Sequence, residues 1–338
     1  MIHHLIAKLA ERRDLTRSEA YEGMSDIMSG NATEPQIAGF LMGLRSKGEN
    51  TQEIAGCAQA MREKSTTIST KADNVIDTCG TGGDGSGTFN ISTAAAIVAA
   101  AAGAVVAKHG NRSVSSKCGS ADVLKELGVN IEIPVEKVSA VLDQVGITFL
   151  FAPVMHKAMK YAVNVRKDLG IRTIFNILGP LTNPAGATRQ LLGVFNPALT
   201  ELIAGVLKEL QSTHALVVHG EGGIDELSTL GSTRVTELRN NQVRTYDIRA
   251  EDLGLLRATI EAIRGKDAPT NARIIRSVFN GDKSAPRDIV LLNAGAALFV
   301  AGKANSIKEG IQRAQEAVDN GAARKKLQNW VEATNSQA

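Results

Sequence analysis

Two loops in the first half of the chain carry residue types that bind phosphate. The first is rich in glycine and reads Gly80-Thr81-Gly82-Gly83-Asp84-Gly85-Ser86-Gly87-Thr88-Phe89-Asn90-Ile91-Ser92-Thr93. The second is basic and reads Lys108-His109-Gly110-Asn111-Arg112-Ser113-Val114-Ser115-Ser116. Glycine lets backbone N–H groups approach an anion closely, and a helix beginning at the end of the first loop adds unpaired N–H groups and a favourable dipole. These residue types predict phosphate as the ligand.

The surrounding elements predict that both loops contribute to one site. Predicted strands at 75–79 and 104–107 precede the two loops, and an alanine-rich helix at 93–102 lies between the strands. This is the order of a βαβ unit, whose parallel strands end at the same edge of a sheet. Open α/β folds bind their ligands at that edge.

Other readings of the glycine loop fit less well. Gly80, Gly82 and Gly85 match the dinucleotide pattern, but the next strand ends in Lys108 where that pattern has an acidic residue. Gly87 is followed directly by Thr88, so the Gly-Lys-Ser/Thr ending of an ATPase loop is missing. A glycine loop without a ligand is the remaining alternative, and the lysine that arrives from the second strand counts against it.

Adjacent carboxylates at Asp225 and Glu226 form a second chemical feature. They follow a predicted strand at 215–218 and a glycine-containing turn. Such a pair can bind Mg²⁺ together with substrate phosphates because Mg²⁺ prefers hard oxygen ligands, although an acidic pair by itself is more often a solvated surface feature. The three cysteines and six histidines show no zinc-ligand spacing.

Four segments carry a family resemblance. They are the loop at 80–84, the basic segment at 108–112, the run Arg-Thr-Ile-Phe-Asn at 172–176 with Leu-Gly-Pro-Leu-Thr-Asn-Pro at 178–184, and the acidic pair at 225–226. In this order, and over nearly the whole chain, the sequence resembles the anthranilate phosphoribosyltransferase family. The resemblance implies transfer of the 5-phosphoribosyl group from 5-phosphoribosyl 1-pyrophosphate (PRPP) to the amine of anthranilate. The products would be N-(5-phosphoribosyl)anthranilate and pyrophosphate, in the second step of tryptophan biosynthesis from chorismate.

The same resemblance assigns roles to residues. It implies Lys108, Arg166 and Asn111 as catalytic residues, anthranilate binding by Gly80, Asn111 and Arg166, and a Mg²⁺ cofactor held by Ser92, Asp225 and Glu226. It implies that PRPP contacts Gly80, Gly83, Asp84, Thr88, Asn90, Ile91, Ser92, Thr93, Lys108, His109, Gly110, Asn111, Arg112, Ser113, Val114, Ser115, Ser116 and Ser120. A guanidinium such as that of Arg166 matches a carboxylate with two hydrogen bonds. The neutral aryl amine of anthranilate keeps its lone pair, so we interpret His109 as a pocket-lining residue rather than a general base.

Composition limits the partners and the compartment. The 338 residues carry a net charge of only +3, which predicts no nucleic-acid partner. The chain shows neither a signal peptide after Met1 nor an apolar run long enough to span a membrane. Three isolated cysteines fit a reducing compartment, so we expect a cytoplasmic protein without membrane partners.

The pattern of apolar residues predicts an α/β fold with a small N-terminal all-helical domain and a large domain. The large domain is expected to have a mainly parallel central sheet flanked by helices. We assign the helical domain to 1–68, joined in space by about 160–185 according to the resemblance, and the α/β donor-binding domain to 69–338. Further strands are predicted at 130–133, 148–151, 191–195 and 215–218, a hairpin at 233–248 with its turn at Asn240-Asn241, and a helix bearing Arg166 at 156–169.

Two questions stay open at this level. Gly39 and Gly43 predict a close helix contact, either within the chain or across a subunit interface, and the resemblance implies a homodimer formed through the helical domain. Two other functions also remain: a nucleoside phosphorylase of related fold, and a nucleic-acid-binding relative without catalysis. Phosphate-dependent release of a free base would favour the first function, and salt-dependent DNA binding would favour the second.

Overall fold

The N-terminal part of the molecule is helical. The structure is a computed structural model that describes residues 2–112 and 118–336. Its first helices are α1 (Ile2–Ala10), α2 (Arg17–Met28), α3 (Glu34–Lys47) and α4 (Thr51–Glu63). Thr16 and Asn50 cap α2 and α4 by accepting hydrogen bonds from the backbone N–H groups of Glu19 and Glu53.

Gly39 and Gly43 allow α1 and α3 to pack closely within one chain. A Cβ atom at Gly43 would approach Leu9 to 2.7 Å, and one at Gly39 would approach Ile6 to 3.3 Å. Both neighbours lie on α1. The small-residue spacing therefore has an explanation inside the chain.

The rest of the chain builds a sheet that is mostly parallel, as predicted. Its strands are β1 (Ile76–Gly80), β2 (Val106–Gly110), β3 (Ile147–Phe151), β4 (Arg189–Gly193), β5 (His214–Gly220), β6 (Ser232–Arg239) and β7 (Gln242–Arg249). The strand order is β3-β2-β1-β4-β5-β6-β7. The pairs from β3 to β5 are parallel, and β6 and β7 add antiparallel at one edge. The predicted turn of the β6–β7 hairpin is confirmed, because Asn240 and Asn241 both have positive φ angles of 50° and 61°.

Helices cover both faces of this sheet. They are α5 (Ile91–Ala101), α6 (Ser120–Glu126), α7 (Val135–Val145), α8 (Ala152–Met155), α9 (Lys160–Leu169), α10 (Phe175–Leu178), α11 (Leu199–Glu209), α12 (Ala268–Phe279), α13 (Ala285–Val300), α14 (Ile307–Asp319) and α15 (Ala322–Asn335). Leu191 and Leu216 pack in a core with α5 and α13, whereas Leu192 and Val217 pack in a second core with α1–α4 and α9–α11. Alternate strand residues thus face two apolar layers, as a parallel sheet requires.

The predicted strand at 130–133 is wrong. Ile131 and Ile133 are buried, but the segment pairs with no strand of the described structure. Instead, the N–H of Asn130 donates to Thr334 Oγ1 at 3.2 Å, and the N–H of Glu132 donates to Asn130 Oδ1 at 3.1 Å. The alternation of apolar residues reflects packing of an irregular segment against the core rather than sheet formation.

The helix predicted at 156–169 is interrupted. His156 has φ −114° and ψ 61°, outside the helical region, and a short 3₁₀ turn at Lys157–Met159 separates it from α9. The helix bearing Arg166 therefore begins at Lys160. The ring of His156 instead contacts a residue of the second polar loop, as described below.

No helix within the described ranges has the length and apolar character needed to cross a membrane.

Candidate active site

The site lies at the carboxyl edge of the sheet. Strands β1, β2, β4 and β5 end in Gly80, Gly110, Gly193 and Gly220. The glycine loop follows β1, the basic loop follows β2, and the acidic pair follows β5. The prediction that the loops meet at one edge follows from the parallel order of these strands, which the structure has.

The glycine loop needs its glycines and is held at its far end. Gly82, Gly83, Gly85 and Gly87 have φ angles between 65° and 72°, a backbone region that other residues adopt only at a cost. The N–H of Phe89 donates to the carbonyl of Ile263 at 3.2 Å, and the N–H of Gly265 donates to the carbonyl of Gly87 at 2.8 Å. A segment far along the chain therefore fixes the end of the loop.

The start of α5 has no side-chain cap. Asn90 occupies the N-cap position, but its amide makes no capping hydrogen bond. Its Nδ2 donates to the carbonyl of Cys118 at 3.2 Å, and its Oδ1 accepts from Asn271 Nδ2 at 2.9 Å. Ile91 and Thr93 have buried side chains, so only their backbone groups can serve a ligand. The N-terminus of α5 is thus a place where an anion can replace the cap.

Lys108 lies almost fully buried between the loops, with 2% of its surface exposed. Its Nζ donates to the carbonyl of Thr78 and to Ser92 Oγ, the latter at 3.2 Å. Burial lowers the pKa of Lys108, and the negative charges of Asp77, Asp225 and Glu226 oppose that shift. A cationic group therefore stands where the glycine loop and the acidic pair converge.

Three carboxylates meet beside this lysine. Oxygen atoms of Asp84, Asp225 and Glu226 all lie within 4.8 Å of one another. Burial, with the charge of Asp84, raises the pKa of Asp225 to about 6, and burial with the charge of Asp225 raises the pKa of Glu226 well above its usual range. Glu226 Oε2 is buried and has no hydrogen-bond partner among the described residues. Sequence reasoning placed Asp84 with the donor ligands and did not include it with the metal ligands.

The acidic loop packs closely against the glycines that end β1 and β4. A Cβ atom at Gly80 would collide with the Asp225 carboxylate, and one at Gly193 would collide with the Asp225 backbone carbonyl. On the other side, Asn293 of α13 accepts a hydrogen bond from the N–H of Leu227 at 3.0 Å and donates to its carbonyl at 2.9 Å. Sequence reasoning missed both Gly193 and Asn293, although a glycine that ends a predicted strand is a weak signal of close approach.

A histidine pair flanks the basic loop. His109 Nδ1 lies 3.1 Å from the carbonyl oxygen of Gly179, and its Nε2 lies 3.2 Å from His156 Nε2. Burial lowers the pKa of His109 to about 3 and that of His156 to about 4. Both rings are therefore neutral near pH 7. No local spacing in the sequence indicates this pair.

Two arginines lie in the segment between α8 and α10, and one of them, Arg172, contacts the glycine loop. Arg166 on α9 is partly buried over the Phe175 ring, 5.1 Å from its centroid, and burial lowers its pKa. It makes no ion pair with any acidic residue in the part of the chain that the structure describes. Arg172 donates to the carbonyl of Gly83 and stacks on Phe195 at 4.1 Å. Sequence reasoning assigned no site role to Arg172.

The remaining predicted residues lie around the basic loop or in the second half of the glycine loop. Asn111 is exposed, its Oδ1 accepts the N–H of Arg112 at 2.7 Å, and its carbonyl accepts from Ser120 Oγ at 3.2 Å. Arg112 forms an exposed ion pair with Glu132 at 3.1 Å. Thr88 forms an isolated antiparallel bridge with Arg264. The predicted donor contacts Ser113, Val114, Ser115 and Ser116 lie outside the described residues.

Comparison with known families agrees with the two-part architecture. A family model described as the a/b domain of a glycosyl transferase family matches residues 72–324. The model described as the helical bundle domain of the same family matches residues 3–65.

Individual relatives extend the match to the full chain. The chain is 55% identical over 336 residues to the anthranilate phosphoribosyltransferase of Acetivibrio thermocellus, covering 99% of this chain and 97% of that protein. The crystal structure of the Thermus thermophilus anthranilate phosphoribosyltransferase superposes with a TM-score of 0.93 at 44% identity, covering 98% and 99% of the two chains. The Saccharomyces cerevisiae anthranilate phosphoribosyltransferase in complex with PRPP and Mg has a TM-score of 0.91 at 27% identity, covering 99% and 98%.

Proposed function

Because the chain belongs to the anthranilate phosphoribosyltransferase family, we propose that its carboxyl-edge site transfers the 5-phosphoribosyl group of PRPP to the amine of anthranilate. The observation that supports this most directly is the meeting of three features. An uncapped helix start, a buried lysine and three carboxylates converge at one edge of the sheet. Phosphate binding, leaving-group neutralisation and metal binding each require one of these features.

We assign PRPP binding to the glycine loop, the start of α5 and the basic loop. Phosphate oxygens would be held by those backbone N–H groups that donate to no acceptor in the described structure, at Gly83, Gly85 and Gly87 and at the uncapped start of α5. Lys108 would place its ammonium against the departing pyrophosphate. By analogy with the family, the remaining contacts with PRPP would come from Arg112, Ser120 and the residues 113–116.

The acidic cluster fits Mg²⁺. The fit rests on hard oxygen donors within 4.8 Å of one another and on the buried Glu226 Oε2 that lacks a hydrogen-bond partner among the described residues. Asp225 and Glu226 would bind the ion, with Ser92 as a further ligand and Asp84 beside them. When bound, Mg²⁺ supplies positive charge that neutralises phosphate oxygens.

The acceptor site needs a cation for the anthranilate carboxylate, and we assign Arg166 to it. Its guanidinium is partly buried and has no acidic partner in residues 2–112 or 118–336. A partly buried cation without a counter-ion is poorly compensated, so a substrate carboxylate would pair with it favourably. Asn111 would orient the substrate, and the neutral His109 would line the pocket rather than act as a strong base.

The reaction follows from charge and position. The bond between C1 of the ribose and the pyrophosphate oxygen breaks, and a bond forms between C1 and the anthranilate nitrogen. The nitrogen, which is positively charged after the attack, then loses one proton to water. Lys108 neutralises the charge that develops on the leaving group, and Arg166 and Asn111 hold the amine towards C1. No residue needs to remove a proton before the attack, because the aryl amine already has a free lone pair.

The family and the composition support proposals for the assembly and the location. We propose a homodimer formed through the helical part, with that part assigned to 1–68 and approximately 160–185 and the α/β part to 69–338. Residues such as Ala162, Val165 and Ile177 share an apolar core with α1–α4, which supports this grouping. We propose a cytoplasmic location, to which a chain with three buried cysteines at isolated positions is suited.

Anthranilate fluorescence tests the proposed function directly. Purified protein mixed with anthranilate and PRPP should remove the fluorescence stoichiometrically, and only when Mg²⁺ is present. Persistent fluorescence with a folded protein would contradict the assignment. Phosphorolysis of a nucleoside or salt-dependent DNA binding would then be the activities to measure.

A further inference from the structure

The β1–β2 ladder is shorter than its neighbours in the sheet, and this interruption lies next to the candidate site. β1 pairs with β4 over five residues and β2 pairs with β3 over five residues, but β1 and β2 share only the pair Ile76↔Val106. The interruption therefore begins one residue after that pair. Side chains take over the hydrogen bonds beyond this point.

Asp77 and Asn183 occupy the hydrogen-bonding positions where the ladder stops. Asp77 Oδ1 accepts the N–H of His109 at 3.0 Å, a group that would otherwise pair with a strand carbonyl. Asn183 Nδ2 donates to Asp77 Oδ2 at 2.7 Å and to the carbonyl of Ala107 at 2.8 Å. Asp77 and Asn183 are 0% and 5% exposed, so these bonds form away from water.

The side chain of Lys108 extends from β2 into the gap between β2 and β1. Its ammonium donates to the carbonyl of Thr78 on the opposite strand and reaches Ser92 at the start of α5. Burial lowers the pKa of Lys108 and raises that of Asp77, and the charge of each group opposes the shift of the other. A buried lysine and a buried carboxylate that compensate each other are far less costly than either alone.

We propose that Asp77 is a positioning residue for phosphoribosyl transfer. It holds β2 apart from β1 through the N–H of His109 and supplies the buried counter-charge that keeps the Lys108 ammonium between the glycine loop and the acidic cluster. This inference rests on the proposed role of Lys108 in donor binding. Asp77 itself is completely buried, so it acts through Lys108 and His109 rather than on substrate.

A thermal double-mutant cycle tests the coupling without relying on activity. Asp77→Asn keeps the shape and an acceptor for the His109 N–H, but it removes the charge and the acceptor for Asn183 Nδ2, and the second loss is common to both backgrounds of the cycle. Lys108→Met removes the ammonium at similar length. We expect Asp77→Asn to lower the melting temperature more in the wild-type background than in the Lys108→Met background, because only the former keeps a buried cation that has lost one of its counter-charges. Additive changes in melting temperature would overturn the proposed coupling.

Kinetics then separate positioning from a general loss of stability. We expect Asp77→Asn to lower kcat/KM for PRPP about 10- to 100-fold, as small misplacements of catalytic groups do, with the anthranilate KM unchanged. The matched control is Glu53→Gln, which alters another buried carboxylate that accepts backbone N–H groups, from Leu15 at 2.8 Å and Asn50 at 2.9 Å. It pairs with Lys47 at 2.9 Å. Glu53 lies in α4, and its substitution should lower stability without changing either KM.

The outcomes are distinguishable. If Asp77→Asn changes only the melting temperature, as Glu53→Gln does, the positioning role is wrong. If Asp77→Asn is not recovered folded, Asn183→Ser removes the amide that orients Asp77, and it should lower kcat/KM for PRPP in the same selective way. An unchanged kcat/KM in that variant would equally contradict the proposal. A wild type without transferase activity would refute the proposed function, while the thermal cycle would still measure the coupling of Asp77 to Lys108.

Discussion

The backbone N–H of Gly82 donates a hydrogen bond to Asp225 Oδ2 at 2.8 Å, which joins two loops that are 143 residues apart in sequence. The contact ties the glycine loop to the acidic cluster, so a displacement of either loop moves the other. Asp225 also fits against Gly80 and Gly193 without room for a side chain. The distance between the proposed phosphate and metal ligands is thus set by close backbone packing.

We predict that Gly193→Ala reduces transferase activity strongly. The added methyl group would collide with the Asp225 carbonyl, and the acidic loop would have to move. We expect a loss in kcat/KM of about 100-fold, the cost of roughly 1 Å of misplacement at a catalytic site. The control is Gly205→Ala on α11, where the nearest atom to the new methyl group is Thr51 Oγ1 at an ordinary 3.4 Å. If both variants have wild-type kinetics, the close packing of Asp225 against Gly193 does not constrain the geometry of the site.

We predict that Mg²⁺ stabilises the protein more as the pH rises. The pKa of Asp225 is raised from 3.8 to about 6, so the folded state holds a proton that the unfolded state has lost. The stability that this proton confers is complete below pH 3.8 and is lost as the pH rises through about 6. Above that pH the carboxylates repel each other, and Mg²⁺ relieves the repulsion.

Melting temperatures with and without MgCl₂, at matched ionic strength, provide the measurement. The increase caused by Mg²⁺ should be larger at about pH 8 than at about pH 5, since protons compete for the same oxygen atoms. Asp225→Asn should remove most of the increase. An equal effect of Mg²⁺ at both pH values would contradict the proposed site.

We predict that Arg166→Ala raises the KM for anthranilate and leaves that for PRPP nearly unchanged. Loss of one partner from a buried charge pair costs about 2 to 5 kcal/mol, so an increase of at least roughly 30-fold is expected. Arg166→Lys should recover only part of it, because an ammonium lacks the planar fork of the guanidinium. Arg45→Ala, an exposed position on α3, is the control. An unchanged anthranilate KM in Arg166→Ala would remove this residue from the acceptor site.

Sequence reasoning succeeded where the signal is local or follows from chain order. The turn at Asn240-Asn241 depends on residues that tolerate positive φ, and the meeting of the two loops depends only on parallel strands. The segment 130–133 shows the limit of periodicity. Its buried isoleucines resemble those of a strand, but the backbone partner of Asn130 is the side chain of Thr334, which no local pattern indicates.

Contacts between residues that are far apart in the chain could not be predicted from the sequence. His109 and His156 lie 47 residues apart, and Asp77 and Asn183 lie 106 apart, yet each pair is in direct contact. Their identities say only that polar groups occur near strand ends. Which groups become buried, and therefore which pKa values shift, depends on how the helices close over the sheet.

We predict that Arg172 helps to hold the glycine loop. Its guanidinium donates to the carbonyl of Gly83 and stacks on Phe195, whose N–H donates to Thr81 Oγ1 at 3.1 Å. Arg172 is exposed, so we expect Arg172→Ala to raise the KM for PRPP only about fivefold, equivalent to roughly 1 kcal/mol. Phe195→Leu should have a smaller effect and should add little in the Arg172→Ala background. Steady-state kinetics of the two single variants and the double variant decide this, and fully additive effects would argue against a shared contact.

The histidine pair leads to a last prediction, a loss of stability in acid. Burial lowers the pKa of His109 from 6.5 to about 3 and that of His156 from 6.5 to about 4. Their contribution to stability is therefore complete above pH 6.5 and is lost as the pH falls towards those values, because the unfolded chain binds protons that the folded chain excludes.

The variant His156→Gln lacks one of these groups, so the number of protons taken up on unfolding falls by about one. The slope of the unfolding free energy against pH should then fall by about 1.4 kcal/mol per pH unit. Urea unfolding between about pH 6.5 and pH 4.5 measures that slope, with the exposed His4→Gln as the control. The protonation of Asp225 acts in the opposite direction over part of this range, but it is common to all three proteins, so the difference in slope reports the histidine. Equal slopes in His156→Gln and the wild type would mean that the folded protein accommodates a charged His156.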